Sequence, residues 1–163
     1  MRGRGTYERD KPPIITLVSR ESKQVIIAPS AHAGSEEVVK RAVKNVEPET
    51  TIYHDDHRSY NVLSGLFRHD SVNHSQHEYA RGDVHINTVE AEFSVFRPWI
   101  ATYRGASKEK LYLYCSQYQF LGNTRRMDRV NRASSMLLPR ANEHVHPLAG
   151  DPVSIVFNVP IPS

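Results

Sequence analysis

A helical segment lies between a β-hairpin and the next strand, and this order constrains the fold more than any other feature of the chain. Residues 14–20 and 24–28 are β-rich runs separated by a short polar turn. Residues 35–48 then show an apolar face at helical spacing, and residues 50–54 read as another strand. Because a helix between two strands carries the chain across a sheet, the order predicts an α/β fold with a mixed sheet flanked by helices.

The rest of the chain divides into a helical part and a proline-rich part. The spacing of apolar residues predicts helices over 59–67, 87–100 and 108–121, with a short strand at 71–74 and a polar loop over 75–84. Pro98 is expected to kink or end the second of these helices. We therefore expect a basic lead-in over 1–13, a folded domain over 14–127 and a poorly ordered tail over 128–163, in which 153–159 alone reads as a strand.

Composition excludes several classes of protein. No apolar run approaches the ~18 residues of a membrane span. A single cysteine, Cys115, excludes an internal disulfide framework and fits a reducing cytosol as a small buried group. The net charge of +3 is concentrated at the N-terminus and over 125–140, which is compatible with nucleic-acid binding or with solvated basic ends.

Two acidic residues, Asp55 and Asp56, follow the strand predicted over 50–54. Ligands of α/β sheets bind at the carboxyl ends of strands, so this is a candidate site, although a surface turn would also use aspartate. Successive residues of a strand point to opposite faces, so only one of the two can face a given site.

The helix predicted over 87–100 carries a polar face. Asn87, Glu90, Ser94 and Arg97 share it, while Glu92 lies on the other side and is expected to face solvent. The polar face is either the solvent-exposed side of an amphipathic helix or part of a functional site. Carboxylates from two different elements can bind Mg²⁺ or Mn²⁺, which prefer oxygen ligands.

Five histidines lie between the first acidic pair and this helix, at positions 57, 69, 74, 77 and 85, and His54 precedes the pair. A zinc site is one interpretation of such a cluster. The spacing contains no His-Glu-x-x-His motif or tight pair, so we favour polar or DNA-facing histidines.

Several blocks of the sequence together resemble one family. They are Tyr53-His54-Asp55-Asp56-His57-Arg58-Ser59-Tyr60, Val72-Asn73-His74, Glu78-Tyr79, His85-Ile86-Asn87-Thr88-Val89-Glu90 and Gly122-Asn123-Thr124-Arg125. In order and spacing they resemble bacterial insertion-sequence transposases of the ISXO-like type, over residues 14 to about 127. The resemblance implies an RNase H-like fold and a DDE-type acidic site that cuts and joins DNA at element ends with Mg²⁺ or Mn²⁺.

The resemblance also implies roles for individual residues. Asp55 matches the second catalytic aspartate and Glu90 the third acidic residue, and both would be metal ligands. Asn87, His74, His85 and Tyr79 match positions near the site. Arg97 is implied to contact phosphate, and the other basic residues expected to bind DNA are Arg104, Lys108, Arg125 and Arg126.

The chain departs from the family pattern at its start. The family's first catalytic aspartate lies on an opening strand, just before a Gly/Arg-rich loop that Arg2-Gly3-Arg4-Gly5 resembles, so we expect the sheet to lack this first, central strand. The strands on either side would then be unpaired, and the fold would be marginally stable. Residues 153–159 are a candidate replacement, at the vacant position or at an edge.

Three functions follow from these observations. The first is the catalytic core of an insertion-sequence transposase, which would be inactive as this chain stands. Its partners would be element ends and target DNA, at the nucleoid in the cytoplasm. The second is a non-catalytic DNA-binding or regulatory remnant, which would bind DNA or pair with itself or with full-length transposase. The third is an unrelated histidine-rich metalloprotein.

Overall fold

The computed structural model describes residues 12–73, 76, 80–104, 106–137, 148 and 152–158. The strands are β1 (Ile14–Ser19), β2 (Val25–Pro29), β3 (Thr51–Asp55), β4 (Arg68–Val72), β5 (Ala80–Arg81), β6 (Val84–His85) and β7 (Val153–Asn158). The helices are α1 (Ser35–Asn45), α2 (Asn87–Ala101), α3 (Leu111–Asn123) and α4 (Arg129–Leu137), and a 3₁₀ helix spans Arg58–Leu63.

The main sheet has five strands in the order β2-β1-β7-β3-β4. β1 is antiparallel to both β2 and β7, whereas β3 is parallel to both β7 and β4. The predicted mixed sheet is therefore confirmed. β5 and β6 form a separate hairpin inside the predicted polar loop, with Gly82 at φ +60° in its turn.

Helices cover both faces of the sheet. On one face, the buried side chains of α2 and α3 pack on residues of β1, β2 and β7, and the cluster includes Val89, Phe93, Phe96, Cys115 and Tyr118. On the other face, α1 and the 3₁₀ helix pack on the opposite side chains of the same strands, and that cluster includes Val38, Ala42, Tyr60 and Leu63. We call these the α2 face and the α1 face.

The central position of the sheet is held by β7. Six residues of β7 pair with β1, from Ile14 opposite Asn158 to Ser19 opposite Val153. On the other edge, Ile52 and Tyr53 of β3 pair with the first two residues of β7. The gap expected in the sheet between β1 and β3 is filled by residues 153–158, which belong to the candidate replacement segment 153–159.

Within residues 128–163, the described parts are ordered, in contrast to the expected poorly ordered tail. Arg129–Leu137 is helical, Leu148 is buried against α1 with its N–H donating to the carbonyl of Asn45, and β7 is a strand. The sequence signal for β7 was its β-rich apolar composition. Its proline-rich surroundings gave no information about where it would pair.

The outer edge of β2 is covered by α3. Asn123 accepts the N–H of Val25 and donates to its carbonyl, each at 2.8 Å, and Gln119 accepts the N–H of Ile27 at 3.2 Å. These amides satisfy backbone groups that would otherwise form an open sheet edge. Asn123, part of one of the blocks singled out in the sequence, therefore has a structural role.

Pro98 was expected to kink or end helix α2, and the second of these expectations was wrong, because the helix continues through Pro98 to Ala101. The side chains on either side of Pro98 hold the last turn in place. Phe96 and Ile100 are buried, and the Trp99 ring lies 5.2 Å from that of Tyr118 on α3. Tertiary packing thus outweighs the missing backbone N–H.

Among the described residues, no helix combines the length and the apolar character needed to cross a bilayer.

We predict that stability depends on β7. Ile155 is fully buried on the α1 face, so Ile155→Ala should lower the free energy of unfolding by about 2–5 kcal/mol in denaturant titrations. Val130, which is 73% exposed on α4, provides the matched control, and Val130→Ala should change it by less than about 0.5 kcal/mol. Equal effects of the two substitutions would contradict the central position of β7.

Candidate functional site

Asp55 is the last residue of β3 and is half-buried, whereas Asp56 lies beyond the strand and is exposed. Tyr53, two residues earlier, packs against the cluster on the α2 face. Because alternate residues of a strand share a face, Asp55 is directed to the α2 face as well. The two aspartates therefore differ in burial, and Asp55 is the one that belongs to the strand.

Two histidines support the end of β3. His54 lies within hydrogen-bond distance of the carbonyl of Asp55, with Nδ1 at 2.6 Å, and its Nε2 is 2.9 Å from Nδ1 of His69. Since a carbonyl only accepts, His54 Nδ1 carries the proton. Burial lowers the pKa of His54, so the imidazole is neutral and its Nε2 accepts from His69. A third histidine, His57, follows Asp56, and its Nδ1 lies 2.6 Å from the Ser59 hydroxyl.

Tyr60 connects this strand end to β7. β3 and β7 pair only as far as Tyr53 and Ser154, and beyond that point the buried Tyr60 hydroxyl accepts the N–H of Phe157 at 2.7 Å. The Tyr60 ring also stacks on His54 at 4.7 Å between ring centres. The 3₁₀ helix thereby provides a hydrogen-bond partner for the Phe157 N–H of the central strand, at the point where β3 and β7 no longer pair.

Glu90 lies in the first turn of α2. Its neighbour Val89 is fully buried against the sheet, while Glu90 itself is exposed, as are Asn87, Ser94 and Arg97. The prediction that these four residues share one polar face of a helix is consistent with this pattern. Hairpin β5–β6, which leads into α2, packs against β3 and β4, so α2 begins beside the strand pair that ends at Asp55 and Val72.

Glu92 differs from expectation. It is half-buried, and its carboxylate accepts a hydrogen bond of 2.6 Å from the Tyr118 hydroxyl on α3. Burial, followed by this hydrogen bond, raises the pKa of Tyr118. The expected solvent-facing role of Glu92 was wrong, because helix spacing shows which side a residue occupies and not whether a second helix packs there.

A shallow open depression of about 300 Å³ lies on the α2 face. Asn87 and Arg125, both singled out in the sequence, line it together with Thr88 and Glu92. Lys23 also lines it, and sequence reasoning had placed Lys23 in a hairpin turn without assigning it a role. Its positive φ of 58° marks that tight turn. The depression thus combines two cations from distant segments with the first turn of α2.

The remaining predicted residues are dispersed. Arg97, Arg104 and Arg126 are exposed, and Lys108 is half-buried, but none of the four lines the depression. His85 is half-buried, and burial, followed by the charge of Arg20, lowers its pKa. His74 and Tyr79 lie outside the described residues.

Residues 1–123 match the model of the ISXO2-like transposase domain. The chain belongs to this transposase family. It is also 36% identical over 121 residues to an uncharacterized protein in transposable element ISH50 of Halobacterium salinarum. The aligned part is 72% of this chain and 41% of that protein, so the chain spans about two fifths of its relative. No solved structure gave a significant match.

The transposase-family match covers β1 to α3 and therefore includes Asp55, Asn87, Glu90 and Arg97. The resemblance drawn from the sequence blocks is confirmed at the level of the family. α4 and β7 lie outside the matched range, although β7 is central to the sheet. The matched part of the fold is thus completed by a segment from outside it.

We predict an acid-sensitive stability from His54. The pKa of His54 is lowered from its usual 6.5, so the unfolded chain binds the proton first as the pH falls below about 6.5, and the free energy of unfolding decreases there. His54→Asn keeps an N–H for the Asp55 carbonyl but cannot titrate. Denaturant titrations at about pH 7.5 and 5.5 should therefore show a smaller pH-dependent loss for this variant.

The matched control is the exposed His32, for which His32→Asn should leave the pH dependence unchanged. The interpretation fails if both variants lose stability with pH as steeply as the original chain.

Proposed function

We propose that this chain is the catalytic-core region of an insertion-sequence DDE transposase with an RNase H-like sheet, and that by itself it binds DNA without cleaving it. The family match supports the transposase assignment. The observation that carries the proposal is the position of Asp55 and Glu90. Asp55 shares a strand face with Tyr53, which packs on the α2 face, and Glu90 lies in the first turn of α2. Lys23 and Arg125 line the depression on that face.

The proposed cofactor is Mg²⁺ or Mn²⁺, which Asp55 and Glu90 would hold. Carboxylate oxygens suit these ions in type, and the ion would supply positive charge to the phosphate under attack. These two carboxylates form an incomplete set of metal ligands. Among the described residues, no group of three or more His, Cys, Asp or Glu side chains is placed to hold a metal ion.

Among the described residues, the central strand of the sheet supplies no third acid. β7 has the sequence Val-Ser-Ile-Val-Phe-Asn, without a carboxylate. On the α2 face, β1 and β7 present the hydroxyls of Thr16 and Ser154, which are buried and have no hydrogen-bond partner among the described residues. A hydroxyl cannot supply the negative charge that a carboxylate ligand brings to a cation.

DNA is the proposed partner, and its phosphates would lie along the depression. Lys23 and Arg125 would neutralise phosphate charge, while Asn87 and Thr88 could donate hydrogen bonds. Arg97, Arg104, Lys108 and Arg126 would extend this contact, and we propose no specificity for base sequence. Binding to chromosomal DNA would place the protein in the cytoplasm at the nucleoid, either alone, as a homo-oligomer or with full-length transposase.

We predict no DNA strand cleavage or joining by this chain in Mg²⁺ or Mn²⁺. Two carboxylates without a third leave the developing charge at the phosphate poorly compensated. Supercoiled plasmid and labelled element-end DNA would show products by gel mobility. Strand joining that disappears in Asp55→Ala would contradict the prediction.

DNA binding should depend steeply on salt. Each phosphate contact contributes a slope of about −0.9 to log K against log salt concentration, so Arg125→Gln should weaken binding and reduce the slope by about one. Fluorescence anisotropy of a labelled duplex at several salt concentrations measures both quantities.

The matched control is Arg58→Gln, which removes an exposed arginine from the 3₁₀ helix on the α1 face. Arg58→Gln should leave both the affinity and the slope unchanged. Salt-independent binding, or equal effects of the two variants, would contradict the proposed DNA surface.

A non-catalytic regulatory role is the second candidate, and the absence of a carboxylate on β7 favours it. In that case the chain would bind DNA ends or full-length transposase without catalysing any reaction. Inhibition of an active relative's strand joining by this chain in trans would distinguish the regulatory role from a passive fragment.

A further inference from the structure

Arg20, directly after β1, contacts three separate segments of the chain. Its Nη1 donates to the carbonyl of Asp83 at 2.8 Å and its Nη2 to the carbonyl of His85 at 3.0 Å. The guanidinium carbon lies 5.0 Å from the centre of the Tyr53 ring. The backbone N–H of Arg20 donates to the carbonyl of Pro152, the residue before β7.

These segments lead directly to the candidate acidic residues. Tyr53 precedes Asp55 by two residues on β3. His85 ends β6, and after it the carbonyl of Ile86 accepts the N–H groups of both Val89 and Glu90, which forms the first turn of α2. Arg20 therefore joins the strand that carries Asp55 to the backbone from which the helix of Glu90 starts.

The chemistry of arginine suits this position. The guanidinium is planar, so it can stack on an aromatic ring while two of its nitrogens donate to two carbonyls in fixed directions. The carbonyls of Asp83 and His85 belong to the short hairpin β5–β6, which has only two ladder pairs of its own. A charged donor makes stronger hydrogen bonds than a neutral one, so Arg20 helps to hold a hairpin that is only marginally stable by itself. Arg81 of β5 adds a second attachment, to Asp70 of β4 at 2.5 Å.

We propose that Arg20 is a positioning residue that sets the place of the first turn of α2, and with it Glu90, relative to Asp55 at the end of β3. Arg20 contacts neither acid in this arrangement and acts through Tyr53 and the hairpin backbone. Its importance for metal binding rests on the proposed function, whereas its effect on the structure does not.

Hydrogen–deuterium exchange on the full chain tests the structural effect. In Arg20→Gln, amides of residues 84–90 should exchange about tenfold faster, while those of β1, β2 and α1 should change by less than about twofold. Arg20→Lys keeps the charge but not the fork, so its effect should be intermediate. The control is Arg68→Gln on β4, an exposed arginine whose loss should change neither region.

Two results would overturn the proposal. One is unchanged exchange over 84–90 in Arg20→Gln. The other is acceleration of similar size in α1 and β2, which would mean that Arg20 stabilises the whole fold and does not position one segment.

Mn²⁺ binding, followed by electron paramagnetic resonance, separates this inference from the proposed function. Asp55→Asn should abolish binding, and Arg20→Gln should weaken it about tenfold although both carboxylates remain. Arg20→Gln that binds as tightly as the original chain would contradict the positioning role. If the original chain binds no better than Asp55→Asn, the proposed metal site is wrong, and the exchange result alone decides the role of Arg20.

Discussion

Backbone pairing on both edges of β7 is the interaction on which the rest of the structure depends. β7 lies between β1 and β3, and its side chains enter the hydrophobic clusters on both faces of the sheet. Without it, β1 and β3 would each leave buried backbone groups unpaired, at about 1–3 kcal/mol per group. Stabilities of about 5–15 kcal/mol would not tolerate many such losses. The family-matched part of the chain is therefore held together by a strand that the match does not include.

The identity of the central strand also limits the chemistry of the site. A strand at this position could present carboxylates to α2, but β7 presents Ser154 and Val156 there, and β1 presents Thr16. Contacts near Asp55 and Glu90 are present on either side of this strand. Tyr60 and His54 bind at the end of β3, and Arg20 donates to the hairpin before α2. In the proposed function, Asp55 and Glu90 would form an acidic site to which β7 contributes no carboxylate, beside a depression lined by Lys23 and Arg125.

Local sequence patterns predicted most elements, because helical and strand periodicity is a local property. β1, β2, α1, β3, α2 and α3 lie within a few residues of their predicted bounds. The errors share one cause, which is packing between distant segments. Glu92 was expected in solvent but accepts a hydrogen bond from Tyr118 of α3. Pro98 was expected to kink or end α2, and it does not end the helix, whose last turn is held by aromatic contacts. α4 was not predicted, and its apolar residues Val130 and Met136 are exposed.

The sequence by itself determined the order of strands and helices, the family, and the elements on which Asp55 and Glu90 stand. Side-chain periodicity and short blocks of residues carry that information along the chain. Only the tertiary structure decided that β7 fills the centre of the sheet, that Lys23 and Arg125 line one depression, and that Arg20 joins three segments. The physical reason is that every residue of a strand offers the same backbone donor and acceptor, so the sequence of a strand does not specify which edge it will pair with. That choice is made by contacts between residues far apart in the chain.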